Sequence, residues 1–364
     1  MRTEFLTLDG GSGDSAKIEH AAHLLEGGQL VAFPTETVYG LGADARNADA
    51  LSKLAKVTGR HESKPFSLLS PSLRHAEKIA HGFPRIAQKL ARVYWPGPLT
   101  LVFPGGKDQS EVGLRLPEHP VARALLANCN FPLAVPSANR VGTPEPIRAE
   151  QVRDALDGQI ALILDKGPTL HGRPSTVVRV EGEGVQIQRE GLISAREIIE
   201  LARPTILFVC TGNTCRSPMA AGFCYAGMAD AHRSASFGLL RSSGESLPFR
   251  VLSAGTSAIN GGRADRNAIE VMREVGIDVS SHVTRSLTPS LVEAADWIFV
   301  MAQAHRDSIL MLMPDAESRV QLITREGDDI PDPVSTSLQH YRLVRDRIAG
   351  CLRDVVRLVK GSEV

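Results

Sequence analysis

TILFVCTGNTCRSP (205–218) carries a six-residue run of apolar and β-branched side chains into a short polar loop, and the loop into Ser217-Pro218. The run reads as a buried strand, and Pro just inside a following segment suits the first turn of a helix. Immediately before it, Arg203-Pro204 ends a helix-like stretch over 194–201, because Pro disfavours helical geometry in the residue that precedes it. Downstream, RVLSAG (250–255), DWIFVM (296–301) and RVQLI (319–323) read as further strands. Helical patterns lie between them at 264–275 and 302–311, and a long terminal helix spans about 337–360. This alternation predicts an α/β doubly wound unit on a four-stranded parallel sheet. Residues 231–249, rich in Ser, Gly and Arg, read as a surface loop or insertion.

Upstream the pattern differs. QLVAFP (29–34), PFSLLS (65–70), PLTLVF (98–103), VGLRLP (112–117), FPLAVP (131–136), IALILD (160–165), STVVRV (175–180) and VQIQR (185–189) are short, apolar and ended by turn formers. Helix-like stretches fall at 15–26, 47–57, 83–93 and 119–128. The mixture predicts an α+β domain with a large twisted sheet. The expected domains are therefore 1–203 and 204–364.

The 364 residues allow two or three domains, and 43% hydrophobic with 23% charged residues is ordinary for a globular protein. Lys plus Arg equals Asp plus Glu at 41 each, which argues against a generally basic nucleic-acid-coating protein. No apolar run approaches the roughly 18 residues of a membrane span, so no membrane partner is expected. The start, MRTEFLTLDG, lacks the plan of a signal peptide. Five cysteines, odd in number and unevenly placed, suit a reducing compartment, and the expected location is cytoplasmic.

Cys210 and Arg216 frame a loop of five residues, Thr211, Gly212, Asn213, Thr214 and Cys215, between strand and helix. That spacing wraps backbone N–H groups around a tetrahedral oxyanion at a helix N-terminus. The same positive field favours the Cys210 thiolate as a nucleophile toward phosphorus. Arg216 can hold two phosphate oxygens in one plane. Ser217 is placed to hydrogen-bond the Cys210 sulfur; Gly212 permits a positive φ, and Asn213 tolerates the left-handed region and can tie the loop together. The general acid is expected at Asp332 in Asp328-Asp329-Ile330-Pro331-Asp332-Pro333, on a loop that opens at the same sheet edge. In the N-terminal domain, Arg60, Arg115 and Arg189 with Ser137-Ala138-Asn139 and Ser175-Thr176 suit a polyanion such as ATP.

VCTGNTCRSP (209–218), SAGT (253–256), ADWIFVM (295–301) and IPDP (330–333) together resemble the low-molecular-weight protein phosphatase family over about 204–360. The resemblance implies hydrolysis of a phosphoprotein without a cofactor. Thr214 is similar to the phosphoarginine-hydrolysing branch, while Val334 departs from the aromatic residue of both branches, so phosphotyrosine and phosphoarginine both stand. PTETVYGL (34–41), WPGPLT (95–100), VGLRLP, PSAN (136–139), STVV (175–178) and QREGLIS (188–194) resemble the YrdC family over about 15–200. That resemblance implies a threonylcarbamoyl-AMP synthase acting on ATP, L-threonine and bicarbonate, with Mg2+ accompanying ATP and a product that serves tRNA modification, with a possible RNA or tRNA contact. It implies Thr35 at the threonine, Arg60, Thr100, Ser137, Asn139 and Arg189 around the nucleotide, and Arg115 and Ser175 near the amino-acid carboxylate. Thr58 stands where the family carries Lys, and Lys56 or Lys64 would have to supply that charge. The competing expectation is a YrdC-like domain that binds nucleotide or RNA without catalysis.

Overall fold

In the computed structural model, which describes residues 2–61, 65–80, 82–105, 111–182, 184–234 and 249–359, the chain divides into two units, Met1–Ala202 and Arg203–Val364. The first unit holds ten strands: β1 (Glu4–Thr7), β2 (Val31–Pro34), β3 (Tyr39–Asp44), β4 (Ser67–Leu69), β5 (Leu99–Phe103), β6 (Val112–Arg115), β7 (Leu133–Ala134), β8 (Leu162–Asp165), β9 (Thr176–Glu181) and β10 (Gly184–Arg189). They form one mixed sheet in the order β1-β8-β2-β3-β7-β4-β6-β5-β9-β10. Helices Asp14–Glu26 and Pro120–Asn128 share one apolar cluster with β2 and β8, through Leu25, Leu125, Phe33 and Leu162. Helices Ala48–Thr58 and Ala149–Leu156 cover another part of the sheet through Leu54, Val152, Leu41 and Ile163.

Two strands and two helices of this unit lie outside the sequence expectation: β1, β3, Leu73–Ile79 and Ala149–Leu156. β3 reads YGLGAD, and its two glycines interrupt the apolar alternation that marks a strand. Packing requires at least one of them, since a Cβ on Gly42 would lie 2.9 Å from the Phe33 ring.

In the second unit β11 (Thr205–Cys210), β12 (Arg250–Gly255), β13 (Trp297–Val300) and β14 (Val320–Leu322) pair in the order β12-β11-β13-β14, all parallel. Every residue of β11 is buried, as a central strand covered on both faces must be. Ile206 and Phe208 enter the cluster formed with the helices Arg216–Ser234 and Leu338–Val359, whereas Leu207 and Val209 enter the cluster on the opposite face. The short helix Pro289–Ala294 and the 3-10 turn Pro314–Arg319 are additional to the expected elements. Of the expected insertion 231–249, the helix takes residues up to Ser234, while 235–248 lie outside the described residues. Among the described residues no helix is long and apolar enough to cross a membrane.

Parallel pairing sets all four carboxyl ends on one edge, and Cys210 stands opposite Gly255 there. A Cβ on Gly255 would fall 2.5 Å from the Thr211 carbonyl oxygen and 2.8 Å from the Asn213 nitrogen, so the loop after β11 lies directly on this residue. Gly255→Ala is expected to destabilise the second unit by about 1–3 kcal/mol. Chemical denaturation of the full chain checks it, and a neutral substitution would contradict this packing.

Candidate active sites

The loop after β11 is held by one side chain. Asn213 adopts a left-handed backbone, φ 56°, and is fully buried. Its amide nitrogen donates to Ser217 Oγ at 2.9 Å and to Ser253 Oγ at 3.0 Å, while its Oδ1 accepts from the Arg285 N–H at 2.9 Å. The His282 Nε2–H donates to the Asn213 carbonyl at 2.8 Å. The sequence reading allows a left-handed backbone at Gly212 and at Asn213; the structure gives it to Asn213, whose side chain can hold such a turn with its own hydrogen bonds.

This anchorage brings the chemical groups together. Cys210 Sγ lies 2.9 Å from Ser217 Oγ and 3.3 Å from the Asn213 N–H, which points at the sulfur. Arg216 begins the helix Arg216–Ser234 and is buried; its Nη1 donates to the Ile330 carbonyl at 3.0 Å and its Nη2 to Thr211 Oγ1 at 3.1 Å. The same Nη2 pairs with the Asp332 carboxylate, so the acid loop and the clamp meet at the sheet edge. Asp332 Oδ1 also accepts from the Val334 N–H at 3.2 Å, and the Ile330 N–H donates to the Met301 carbonyl at 2.8 Å, fixing that loop.

The remaining loop residues serve different ends. Thr214 Oγ1 lies 3.4 Å from Cys215 Sγ, and the Thr214 carbonyl accepts from the Asp265 N–H at 2.9 Å. Cys215 is buried, with Tyr341 OH at 3.3 Å from its sulfur. Burial pushes the Cys215 thiol above its ordinary value, against the opposing hydrogen bonds of Thr214 and Tyr341. Ser253, His282, His305 and Tyr341 escape the sequence reading. Ser253 lies inside the quoted SAGT motif, whereas the other three are distant in sequence and carry no local signal.

In the first unit the expected residues fall into separate hydrogen-bonded groups. Thr35 Oγ1 donates to the Val38 carbonyl at 2.6 Å and contacts Thr37 Oγ1 at 2.8 Å. Thr37 Oγ1 accepts from Arg115 Nη2 at 2.9 Å, and the same guanidinium pairs with buried Glu36. Thr100 and Ser175 hydroxyls lie 2.9 Å apart, and Arg189 Nη2 donates to the Ser175 carbonyl at 2.9 Å. Desolvation lowers the Arg189 guanidinium from its ordinary value, and repulsion from Arg60 and Arg115 adds to it against the pull of Glu145. Arg189 therefore lies within electrostatic reach of Arg60 and Arg115. Ser137 bridges to Gly40 and the Ala138 N–H donates to the Tyr39 carbonyl at 2.9 Å, which places the Ser137-Ala138-Asn139 loop at the start of β3. The Asn139 side-chain nitrogen donates to the Thr143 carbonyl at 2.7 Å, while its buried Oδ1 has no partner among the described residues.

Thr58 is fully buried, and its hydroxyl donates to the Leu54 carbonyl at 2.7 Å in its own helix. Gly59 then turns the chain with φ 70°, so Arg60 emerges from the helix end. Thr58 thus supplies packing and no charge. Lys56 is exposed in the last helical turn, and Lys64 lies outside the described residues.

These arrangements define a cysteine-phosphatase centre in an α/β unit and a cationic, hydroxyl-lined ligand site in a mixed-sheet unit. The model of the Sua5/YciO/YrdC family, described as telomere recombination, matches residues 23–191. The model of the low molecular weight phosphotyrosine protein phosphatase matches residues 205–362. A threonylcarbamoyl-AMP synthase of Bacillus subtilis is 39% identical over 202 residues, 53% of this chain and 58% of that protein. The chain thus spans little more than half of that relative. A threonylcarbamoyl-AMP synthase of Vibrio vulnificus is 32% identical over 186 residues, 48% of this chain and 99% of that protein. The P. abyssi Sua5 structure complexed with L-threonine has the same fold with 22% identity and a TM-score of 0.51, covering 97% of this chain and 98% of its own. The chain belongs to the Sua5/YciO/YrdC family and carries a low-molecular-weight phosphatase domain as its second part.

Glu36, inside the quoted PTETVYGL motif, is the residue that sequence reasoning passed over in the first site. Burial alone would raise its carboxyl, but the Arg115 charge and hydrogen bond, with the Glu118 N–H at 3.1 Å, hold it below its ordinary value of 4.5. The stability it contributes is complete above that ordinary value and is lost as pH falls through the lowered one. Glu36→Ala leaves Arg115 buried beside no counter-charge and is expected to cost roughly 3–5 kcal/mol. Denaturation of the full chain at neutral and acid pH measures this; the difference between parent and variant should shrink in acid, and a constant difference would contradict the assignment.

Proposed function

We propose that the chain is a two-centre enzyme. The second unit hydrolyses phosphorylated protein side chains, phosphotyrosine or phosphoarginine, through a phosphocysteine. The observation that carries this reading is Cys210 Sγ at 2.9 Å from Ser217 Oγ, beside an Arg216 guanidinium joined to Asp332. The Cys210 thiolate attacks phosphorus, the P–O or P–N bond breaks, and Asp332 in its acid form gives its proton to the leaving atom. Asp332, now a carboxylate, takes a proton from water as the water oxygen bonds to phosphorus. The thiolate departs toward the Ser217 hydroxyl, and inorganic phosphate leaves. Arg216 and the loop N–H groups hold the charge that spreads over the equatorial oxygens.

The first unit joins ATP, L-threonine and bicarbonate into threonylcarbamoyl-AMP and releases pyrophosphate, for use in tRNA modification. The position of Arg189, bonded to the Ser175 carbonyl and repelled by Arg60 and Arg115, supports it, because a polyanion would relieve that repulsion. The Thr100 and Ser175 hydroxyls suit neutral oxygens of the substrates. The donors gathered here are cations and hydroxyls, which fit a nucleotide that brings Mg2+ as part of the substrate. The proposed setting is the cytoplasm, where ATP and tRNA are at hand and the five cysteines remain free thiols. Thr58, turned into its own helix, favours the second reading of nucleotide binding without catalysis.

Two assays on the full chain decide between these. Cys210→Ser is expected to lower p-nitrophenyl phosphate hydrolysis on the order of a thousandfold or more. Retained hydrolysis would contradict the covalent route. Threonine-dependent pyrophosphate release should exceed that of Ser137→Ala by at least about tenfold, the size of one lost hydrogen bond to substrate. Release no greater than that control would defeat the synthase reading and leave binding alone.

A further inference from the structure

Resting on the phosphatase reading, a second arrangement behind Arg216 has its own consequence. His305 occupies the first turn of the helix Gln303–Leu312 and is 5% exposed. Its Nε2 lies 2.9 Å from Thr211 Oγ1, the same oxygen that accepts from Arg216 Nη2 at 3.1 Å. Its Nδ1 is buried without a partner among the described residues, so its bond to Thr211 is the polar contact seen to orient the ring. The helix end carrying it is fixed in turn, because Asp329 Oδ1 accepts the Gln303 N–H at 2.8 Å.

A hydroxyl on a loop rotates freely unless something on its far side fixes it. Here Thr211 Oγ1 stands between a guanidinium and an imidazole. We propose that His305 is a positioning residue of the phosphatase centre, holding the Thr211 hydroxyl against Arg216 so that the clamp is aimed before a phosphoryl group arrives. A neutral imidazole is required, since a second cation beside Arg216 would repel it. Burial, and then the Arg216 charge, push His305 down to about 4, with the Asp329 and Asp332 carboxylates opposing. The ring is therefore neutral at pH 7. When Asp332 leaves Arg216 for its acid role, the bonds from Arg216 to Thr211 and to the Ile330 carbonyl are the contacts that keep the guanidinium in plane.

The test is a double-mutant cycle on the full chain, read as kcat and KM for p-nitrophenyl phosphate and as inorganic phosphate affinity by calorimetry. His305→Ala is expected to lower kcat/KM roughly 10- to 100-fold, the loss of one hydrogen bond that supports a charged group. Thr211→Val should give a similar loss, and the double variant should be no worse than the poorer single one by more than about twofold, since both break one chain. His305→Gln, whose amide reaches the place of Nε2 and can donate or accept, should recover activity to within about threefold of the parent. Parent-like activity in His305→Ala, multiplicative losses in the double variant, or failure of the Gln rescue in a protein with the parent's denaturation midpoint would each overturn the proposal. A parent chain that hydrolyses nothing would instead sink the phosphatase reading. Phosphate affinity then decides separately: weakening of about tenfold in His305→Ala supports the positioning role, and equal or undetectable binding in both overturns it.

Discussion

The Asn213 side chain is the constraint on which the phosphatase centre depends. A left-handed backbone at a residue other than glycine is unfavourable by up to about 1–2 kcal/mol, though less for Asn. Bonds to Ser217, Ser253 and the Arg285 N–H offset that cost, and His282 secures the carbonyl. With this turn in place its own N–H is aimed at the Cys210 sulfur, and Ser217 is drawn to the same atom. Gly255 supplies the floor, since no side chain there could coexist with the loop. The dipoles are thus ordered before any substrate arrives, which is where electrostatic catalysis draws most of its advantage.

The first unit reaches preorganisation by another route. Arg115 is held by the Glu36 carboxylate and by Thr37, so its charge is aimed and partly compensated within the fold. Desolvation shifts Arg60, and desolvation with repulsion from Arg60 and Arg115 shifts Arg189. The two units use different scaffolds: a loop at a parallel-sheet edge in one, and residues from distant strands of a mixed sheet in the other.

What the sequence made legible follows the same division. Cys210, Arg216 and Ser217 were readable because loop, strand and helix are contiguous, and Asp332 because parallel strands open their loops on one edge. The strands β5, β9 and β10 were readable from short apolar runs bounded by turn formers. β3 was not, because its glycines serve packing against Phe33 and so erase the alternation. Gly212 and Asn213 were both legible as residues that accept a left-handed backbone, but bonds to residues 40 and 72 positions away decide that the turn falls on Asn213. His282 and His305 act across 69 and 94 positions, and Glu36 across 79. No local pattern could announce them. Thr58 was visible as a missing cation, but its hydroxyl's return to Leu54 needed the helix to be seen.

The central claim, that Cys210 forms a bond to phosphorus, is tested most directly by trapping the intermediate. The full chain is mixed with a phosphorylated substrate, quenched in acid within the first turnover, and its peptides are read by mass spectrometry. A phosphate adduct on Cys210 that appears before inorganic phosphate and decays as phosphate is released is the expected result. Phosphate released at the full rate with Cys210 unmodified throughout would contradict the account.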